Sequence, residues 1–186
     1  MSEKVTEVTS DILPGEKIDC VAYGCTSGTI AAGYDSIEKK IKKSKPEAIV
    51  TTPSTSSIKA LKKLKVKKVA VFTPYSKKLN EEVLEFFKKE NFEITANSYF
   101  GIESDIDIGK VDPNHLYEIL SKMDLNGAEA LFVSCTALPV LSLIDKLEKK
   151  LNINVLSSNQ TLIWDTLNSI KNKEATKGFG KIFEVN

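Results

Sequence analysis

Two short segments carry the same residue types in the same order. Asp19-Cys20-Val21-Ala22-Tyr23-Gly24-Cys25-Thr26 and Glu129-Ala130-Leu131-Phe132-Val133-Ser134-Cys135-Thr136 each pass from an acidic residue through an apolar run to a small residue and then Cys-Thr. Such a run reads as a buried strand, and the Cys-Thr after it as a turn opening a helix. In open parallel sheets ligands bind outside the carboxyl ends of the strands. A thiol there meets unpaired N–H groups and the positive end of a helix dipole, which favour thiolate and lower a cysteine pKa from about 8.5 toward neutrality. Cys25 and Cys135 are therefore the expected catalytic pair. The same N–H groups can hold a carboxylate, with the hydroxyls of Thr26, Ser27 and Thr136 as further donors. Likenesses of this length also arise between unrelated buried strands, so they do not establish a duplication. Cys20 lies inside the strand and is expected simply to pack.

Other uses of the thiols are poorly supported. Three cysteines cannot all pair with one another, there is no Cys-x-x-Cys, and the single histidine, His115, stands beside a predicted helix start as a surface or capping residue. No metal site is expected. Neither the Gly-x-Gly-x-x-Gly nor the Gly-x-x-x-x-Gly-Lys-Ser/Thr fingerprint occurs, so any ligand is held by other means.

The elements that must position the cysteines follow from hydrophobic periodicity. Predicted strands at 18–23, 48–52, 68–73, 93–99, 129–134 and 153–157 alternate with predicted helices at 27–43, 56–65, 79–90, 113–125, 139–151 and 160–172. That order specifies an α/β fold with a parallel sheet. The stripe Leu79, Val83, Leu84, Phe86, Phe87 gives one helix a buried face. Thr52-Pro53-Ser54-Thr55 and Thr73-Pro74-Tyr75-Ser76 also follow strands and should open onto the same edge, where Tyr75 can offer its phenol to a carboxylate. The glycine-punctuated tail from Lys171 to Asn186 is expected to fold back as a turn or short strand.

Composition excludes several classes of partner. With 26 basic and 25 acidic residues the formal charge is +1, and the lysines are dispersed over helix-like stretches, so neither nucleic acid nor a membrane surface is an expected partner. The first residues show no signal-peptide core, and the chain has no apolar span of about 20 residues, so a cytoplasmic location is expected.

Taken together, Tyr23-Gly24-Cys25-Thr26-Ser27-Gly28, Thr73-Pro74-Tyr75 with Asn80, Ser134-Cys135-Thr136, and Ser157-Ser158-Asn159-Gln160 followed by Trp164-Asp165 resemble the Asp/Glu racemase superfamily. The likeness is to the branch of maleate isomerases, arylmalonate decarboxylases and EutA-like ectoine-catabolism proteins. It implies two pseudo-symmetric lobes with flavodoxin-like parallel sheets, a cleft between them, and no metal or organic cofactor. It assigns residues 1–65 to a first lobe, 66–152 to a second, and 153–186 to a return into the first. It adds Asn80, Asp105 and Asn159 to the substrate-binding residues Thr26, Ser27, Tyr75 and Thr136. Members of the branch begin with another strand and an asparagine-bearing loop, about 50 residues before the first strand seen here. The first lobe is thus expected to be truncated, and a homodimer or higher homo-oligomer is expected to cover the exposed edge. Where maleate isomerases place asparagine, this sequence has Asp105, whose charge would repel a dicarboxylate.

The expected activity is a cofactor-independent isomerase or racemase of a small carboxylic acid, of the maleate cis-trans isomerase or amino-acid racemase kind. Decarboxylases of the branch keep only the second-lobe cysteine, with glycine at the first, whereas this chain has both. A decarboxylase-like lyase, an EutA-like protein and a non-catalytic remnant of the fold are the alternatives.

Overall fold

Residues 4–172 and 177–185 are described by the computed structural model. In chain order the elements are α1 (Val5–Ser10), β1 (Cys20–Ala22), α2 (Thr26–Ala32), α3 (Tyr34–Lys42), β2 (Ile49–Thr51), α4 (Pro53–Lys63), β3 (Lys68–Thr73), α5 (Lys77–Lys89), β4 (Glu93–Tyr99), α6 (Asp105–Gly109), α7 (Pro113–Ser121), β5 (Ala130–Val133), α8 (Ile144–Leu151), β6 (Asn154–Ser157) and α9 (Ser158–Ser169). Short 3-10 turns cover Leu141–Leu143 and Lys181–Glu184. All strand pairings are parallel, in a two-stranded sheet β1-β2 and a four-stranded sheet β4-β3-β5-β6. The fold is α/β with flanking helices, as the alternation of patterns requires.

The second sheet carries the larger core. Every residue of β5 is buried, the signature of a central strand covered on both faces. On α5, Val83, Leu84 and Phe87 are buried, and the Phe87 ring lies 5.0 Å from that of Phe132 on β5. The first sheet has a smaller core of Val5, Val21, Ile37, Ile41, Ala48 and Val50. β1 pairs only with β2 among the described residues, and beside it lies a cavity of about 260 Å³ lined in part by Val5, Val8, Ile12 and Val21.

Several boundaries differ from the expectation for identifiable reasons. The single helix predicted over 27–43 is two, because Gly33 at φ +78 ends α2 and begins α3. α4 starts at Pro53 rather than 56: the Thr52 side chain accepts from Thr55 N–H, and proline suits the first helical turn. Short α1 and α6 were not expected. Val5 and Thr9 bury one side of α1, and Ser104 caps α6 by accepting from Asp107 N–H.

Of the segment assigned to a return from 153 onward, α9 rather than β6 packs against β1 and β2. β6 pairs with β5, and its Val155 and Leu156 are fully buried, so the second sheet extends past 152. α9 then crosses to the first lobe, where Asp165 accepts from Ser56 Oγ and Lys59 Nζ, both at 2.8 Å, and Thr166 meets the Thr51 hydroxyl at 2.8 Å. The last turn stays on the second lobe: Gly180 N–H donates to Asp145 Oδ1 (2.7 Å) and Lys181 N–H to Glu148 Oε2 (2.9 Å). The tail thus ends in a 3-10 turn, while 173–176 and 186 of the predicted segment lie outside the described residues. Among the described residues no helix is long and apolar enough to cross a membrane.

Candidate active site

Cys25 takes the place that serine, threonine or aspartate usually occupies before a helix. Its backbone is extended, at φ −132 and ψ 111, and its Sγ accepts the Gly28 N–H of α2 at 3.2 Å. An N–H aimed at sulfur is better used by a thiolate than by a thiol. Thr29 ties down the turn by donating both its N–H (3.1 Å) and its hydroxyl (2.7 Å) to the Cys25 carbonyl. Ser27 Oγ stands 3.9 Å from Sγ, and the half-buried thiol retains access to solvent.

Cys135 is presented differently, which corrects the expectation of two equivalent helix caps. After β5 the chain passes through Cys135 at φ +84, and α8 begins only at Ile144. A residue with a Cβ in this region carries strain of order 1–3 kcal/mol, a feature that clusters at working sites. The Ala137 and Leu138 N–H groups and the Tyr75 phenol favour its thiolate, yet burial outweighs them and pushes the thiol upward, with nearby Asp105 adding to the rise. The lowered thiol pKa expected for both cysteines is thus not the state of Cys135. It is 5% exposed and held as a thiol.

The turns carrying the two cysteines are joined. Thr136 Oγ1 donates to the Gly24 carbonyl at 2.8 Å, across 112 positions of sequence, and Asn159 Nδ2 donates to the Thr136 carbonyl at 2.9 Å. The turns after β1 and β5 and the first turn of α9 therefore meet at one place. Tyr75, after β3, completes it: its hydroxyl accepts from Ser134 Oγ at 3.4 Å. Burial pushes the Tyr75 phenol well up, and the charges of Cys135 and, more weakly, Cys25 push it further, so this one phenol lies in the field of both sulfurs.

Other expected residues stand further back. Thr26 is 2% exposed and spends its hydroxyl on Ser158 Oγ at 2.8 Å, which makes it a lobe-joining residue in this structure rather than a free donor. Asn80 is also buried and accepts from Thr73 Oγ1 at 2.9 Å, bracing the strand end beneath Tyr75. Asp105 is exposed at the start of α6 and reaches the site through its charge on Cys135. Cys20 lies with its sulfur 3.7 Å from Thr51 Oγ1, between β1 and β2 and apart from the site. His115 is exposed beside the Asp112 cap of α7. No three metal-ligating side chains cluster among the described residues.

Sequence reasoning missed Ser134, Ser158 and Gly28 as parts of the site. All three lay inside the quoted motifs, but only contacts reveal that Ser134 meets Tyr75, Ser158 meets Thr26, and the Gly28 N–H donates to the Cys25 sulfur.

Residues 22–183 match the family model described as arylmalonate decarboxylase. The chain belongs to the arylmalonate decarboxylase family. That span includes every element from the end of β1 to the last 3-10 turn, and both cysteine turns with it. A maleate isomerase of Geobacillus stearothermophilus is 27% identical over 178 residues, covering 91% of this chain and 71% of the relative. An arylmalonate decarboxylase of Bordetella bronchiseptica is 27% identical over 137 residues, 72% of this chain and 57% of the relative. Among solved structures, a cysteine-to-serine mutant of Nocardia farcinica maleate cis-trans isomerase, holding a covalently bound succinylcysteine intermediate, superposes with a TM-score of 0.88 at 21% identity. It covers 100% of this chain and 77% of that one. The resemblance to the Asp/Glu racemase superfamily and to its maleate isomerase branch therefore holds, with members of the family working as isomerases and as a decarboxylase.

Proposed function

We propose that this chain is a cofactor-independent isomerase or racemase of a small carboxylic acid, with Cys25 and Cys135 acting from opposite sides of the bound acid. The observation that carries this is the placement of Tyr75, whose phenol lies in the field of both sulfurs, where the Thr136 to Gly24 bond joins the two turns. Cys135, held as a thiol by burial, suits the proton donor. Cys25, receiving the Gly28 N–H, suits the anionic partner. In a racemisation the Cys25 thiolate removes the α-proton, the electron pair passes into the carboxylate as an enediolate, and the Cys135 thiol returns a proton on the other face. With an unsaturated acid the Cys25 thiolate adds to the double bond instead. The electron pair again moves into the carboxylate, the new single bond rotates, and loss of the thiolate restores the double bond with the other geometry. Tyr75, protonated and buried, supplies a donor to the oxyanion that either route builds up.

Asp105 narrows the substrate. Its negative charge acts on Cys135, so the part of the acid lying on that side is neutral or cationic rather than a second carboxylate. The family model favours a second reading, a decarboxylase-like lyase, in which carbon dioxide leaves an enediolate that a single cysteine protonates.

Incubation in heavy water with a panel of small 2-substituted and unsaturated acids tests the proposal. Deuterium incorporation or cis–trans exchange that is lost in both Cys25→Ala and Cys135→Ala supports the pair. Release of carbon dioxide with full turnover in Cys25→Ala would replace it with the lyase reading.

A further inference from the structure

Among the described residues, the Tyr23 hydroxyl is the one buried side-chain nitrogen or oxygen without a hydrogen-bond partner. Phenylalanine would give the same ring without an unsatisfied polar atom, so folding alone does not account for this oxygen. Its position does. Gly28 sits in α2 without a positive φ, so its backbone does not require glycine. What excludes a side chain is crowding: a Cβ there would lie 2.7 Å from Cys25 Sγ and 2.9 Å from the Tyr23 hydroxyl oxygen. Sulfur and phenol thus flank a single point that the helix leaves vacant. Burial pushes the phenol upward and the charge of Cys25 pushes it further, so it remains a protonated donor at neutral pH.

We propose that Tyr23 is a positioning residue for Cys25, its O–H donating to the sulfur when the thiol ionises and joining the Gly28 N–H as a second donor. The hydroxyl has no hydrogen-bond partner in this structure, and an ionised sulfur beside it would supply one. The arrangement parallels the second lobe, where the Tyr75 phenol favours the thiolate of Cys135. The inference rests on Cys25 being a working thiolate, and its test separates the two claims.

Iodoacetamide alkylation of Cys25 is followed by peptide mass spectrometry from pH 5 to 10, in the natural chain and in Tyr23→Phe, alongside the Tm of each. The expected result is that the pH midpoint of Cys25 alkylation moves up by about one unit in Tyr23→Phe, so that the rate at pH 7 falls about tenfold. The Tm should not fall, because no hydrogen bond is lost from the resting state. Superimposable pH profiles in the two proteins would overturn the role of Tyr23 while leaving Cys25 as the working thiol. So would a lowered Tm, which would show that the hydroxyl has a structural partner. If Cys25 in the natural chain reacts no faster at pH 7 than an unfolded peptide thiol, the function proposed for Cys25 fails first.

Discussion

Replacing Gly28 by alanine sets two effects of opposite sign against each other at one atom. In an open helical position the change removes backbone freedom from the unfolded chain and improves helix propensity by about 1 kcal/mol. Here the new methyl would stand 2.7 Å from Cys25 Sγ, 2.9 Å from the Tyr23 hydroxyl and 3.3 Å from Cys25 Cβ. Forcing a methyl into a filled space costs about 1–3 kcal/mol, so the net change is a loss of roughly 0–2 kcal/mol. For a domain of this size that is a fall in Tm of up to about 8 °C. Gly24, in the same turn, provides the control. A Cβ there meets nothing within 4 Å and its φ is not in the left-handed region, so Gly24→Ala should leave stability unchanged or raise it by about 0.4–1 kcal/mol. Differential scanning calorimetry of both variants, with Cys25 alkylation rates, is the assay. Displacement of the sulfur by even part of an ångström should slow turnover in Gly28→Ala well beyond its effect on stability, since about 1 Å of misplacement can cost a hundredfold. A Gly28→Ala protein with a raised Tm and unchanged Cys25 reactivity would refute the packing described around the thiol.

Removal of the Thr136 hydroxyl in Thr136→Val leaves the Gly24 carbonyl without its donor from the other lobe, and should cost about 0.5–1.5 kcal/mol, a fall of a few degrees in Tm. Asp105→Asn removes a negative charge that pushes Cys135 upward; the pH midpoint of Cys135 alkylation should move down, by less than about one unit because the carboxylate is exposed, and dicarboxylic acids should bind more tightly in titration calorimetry. Glu148 gives a pH effect of the opposite sign to most carboxylates. Burial raises it despite the N–H groups of Val155 and Lys181, so the native state binds its proton more tightly than the unfolded chain does. Its contribution to stability should grow as pH falls through the raised native value, level off below the unfolded value, and be absent from Glu148→Gln, so that it appears as the difference between the pH–Tm profiles of the two proteins.

Much of the fold was legible because the information is local. β3 and β5 are short apolar runs buried along almost their whole length, and α5 carries its stripe at helical spacing, so period alone separates strand from helix. Cys25 was legible for the same reason: Tyr-Gly-Cys-Thr-Ser leads out of a strand into a helix, and a small polarisable side chain at that junction becomes the cap. What sequence alone could not show depends on partners distant in the chain. Ser158 reads as an ordinary helix-start serine until Thr26 is found bonded to it across 132 positions. β6 reads as the start of a return segment until its pairing with β5 is seen.

Cys135 is the instructive failure. Ser-Cys-Thr-Ala-Leu-Pro contains no glycine or asparagine to announce a left-handed residue, so the segment reads as a helix start like that of Cys25. The chain instead turns at Cys135 with φ +84, and β5 fixes one side of that turn through four buried residues and the Ser134 N–H bonded to the Phe72 carbonyl at 2.8 Å. Thr136 fixes the other side by its bonds to Gly24 and Asn159. A strained residue persists only where its surroundings over-determine it. Here the two anchors are the four-stranded sheet on one side and the turn that carries Cys25 on the other, so the conformation of Cys135 is a property of how the two sheets' turns meet rather than of its own sequence. Loosening the Thr136 anchor should therefore alter Cys135 reactivity before it alters that of Cys25, whose geometry is secured within its own helix.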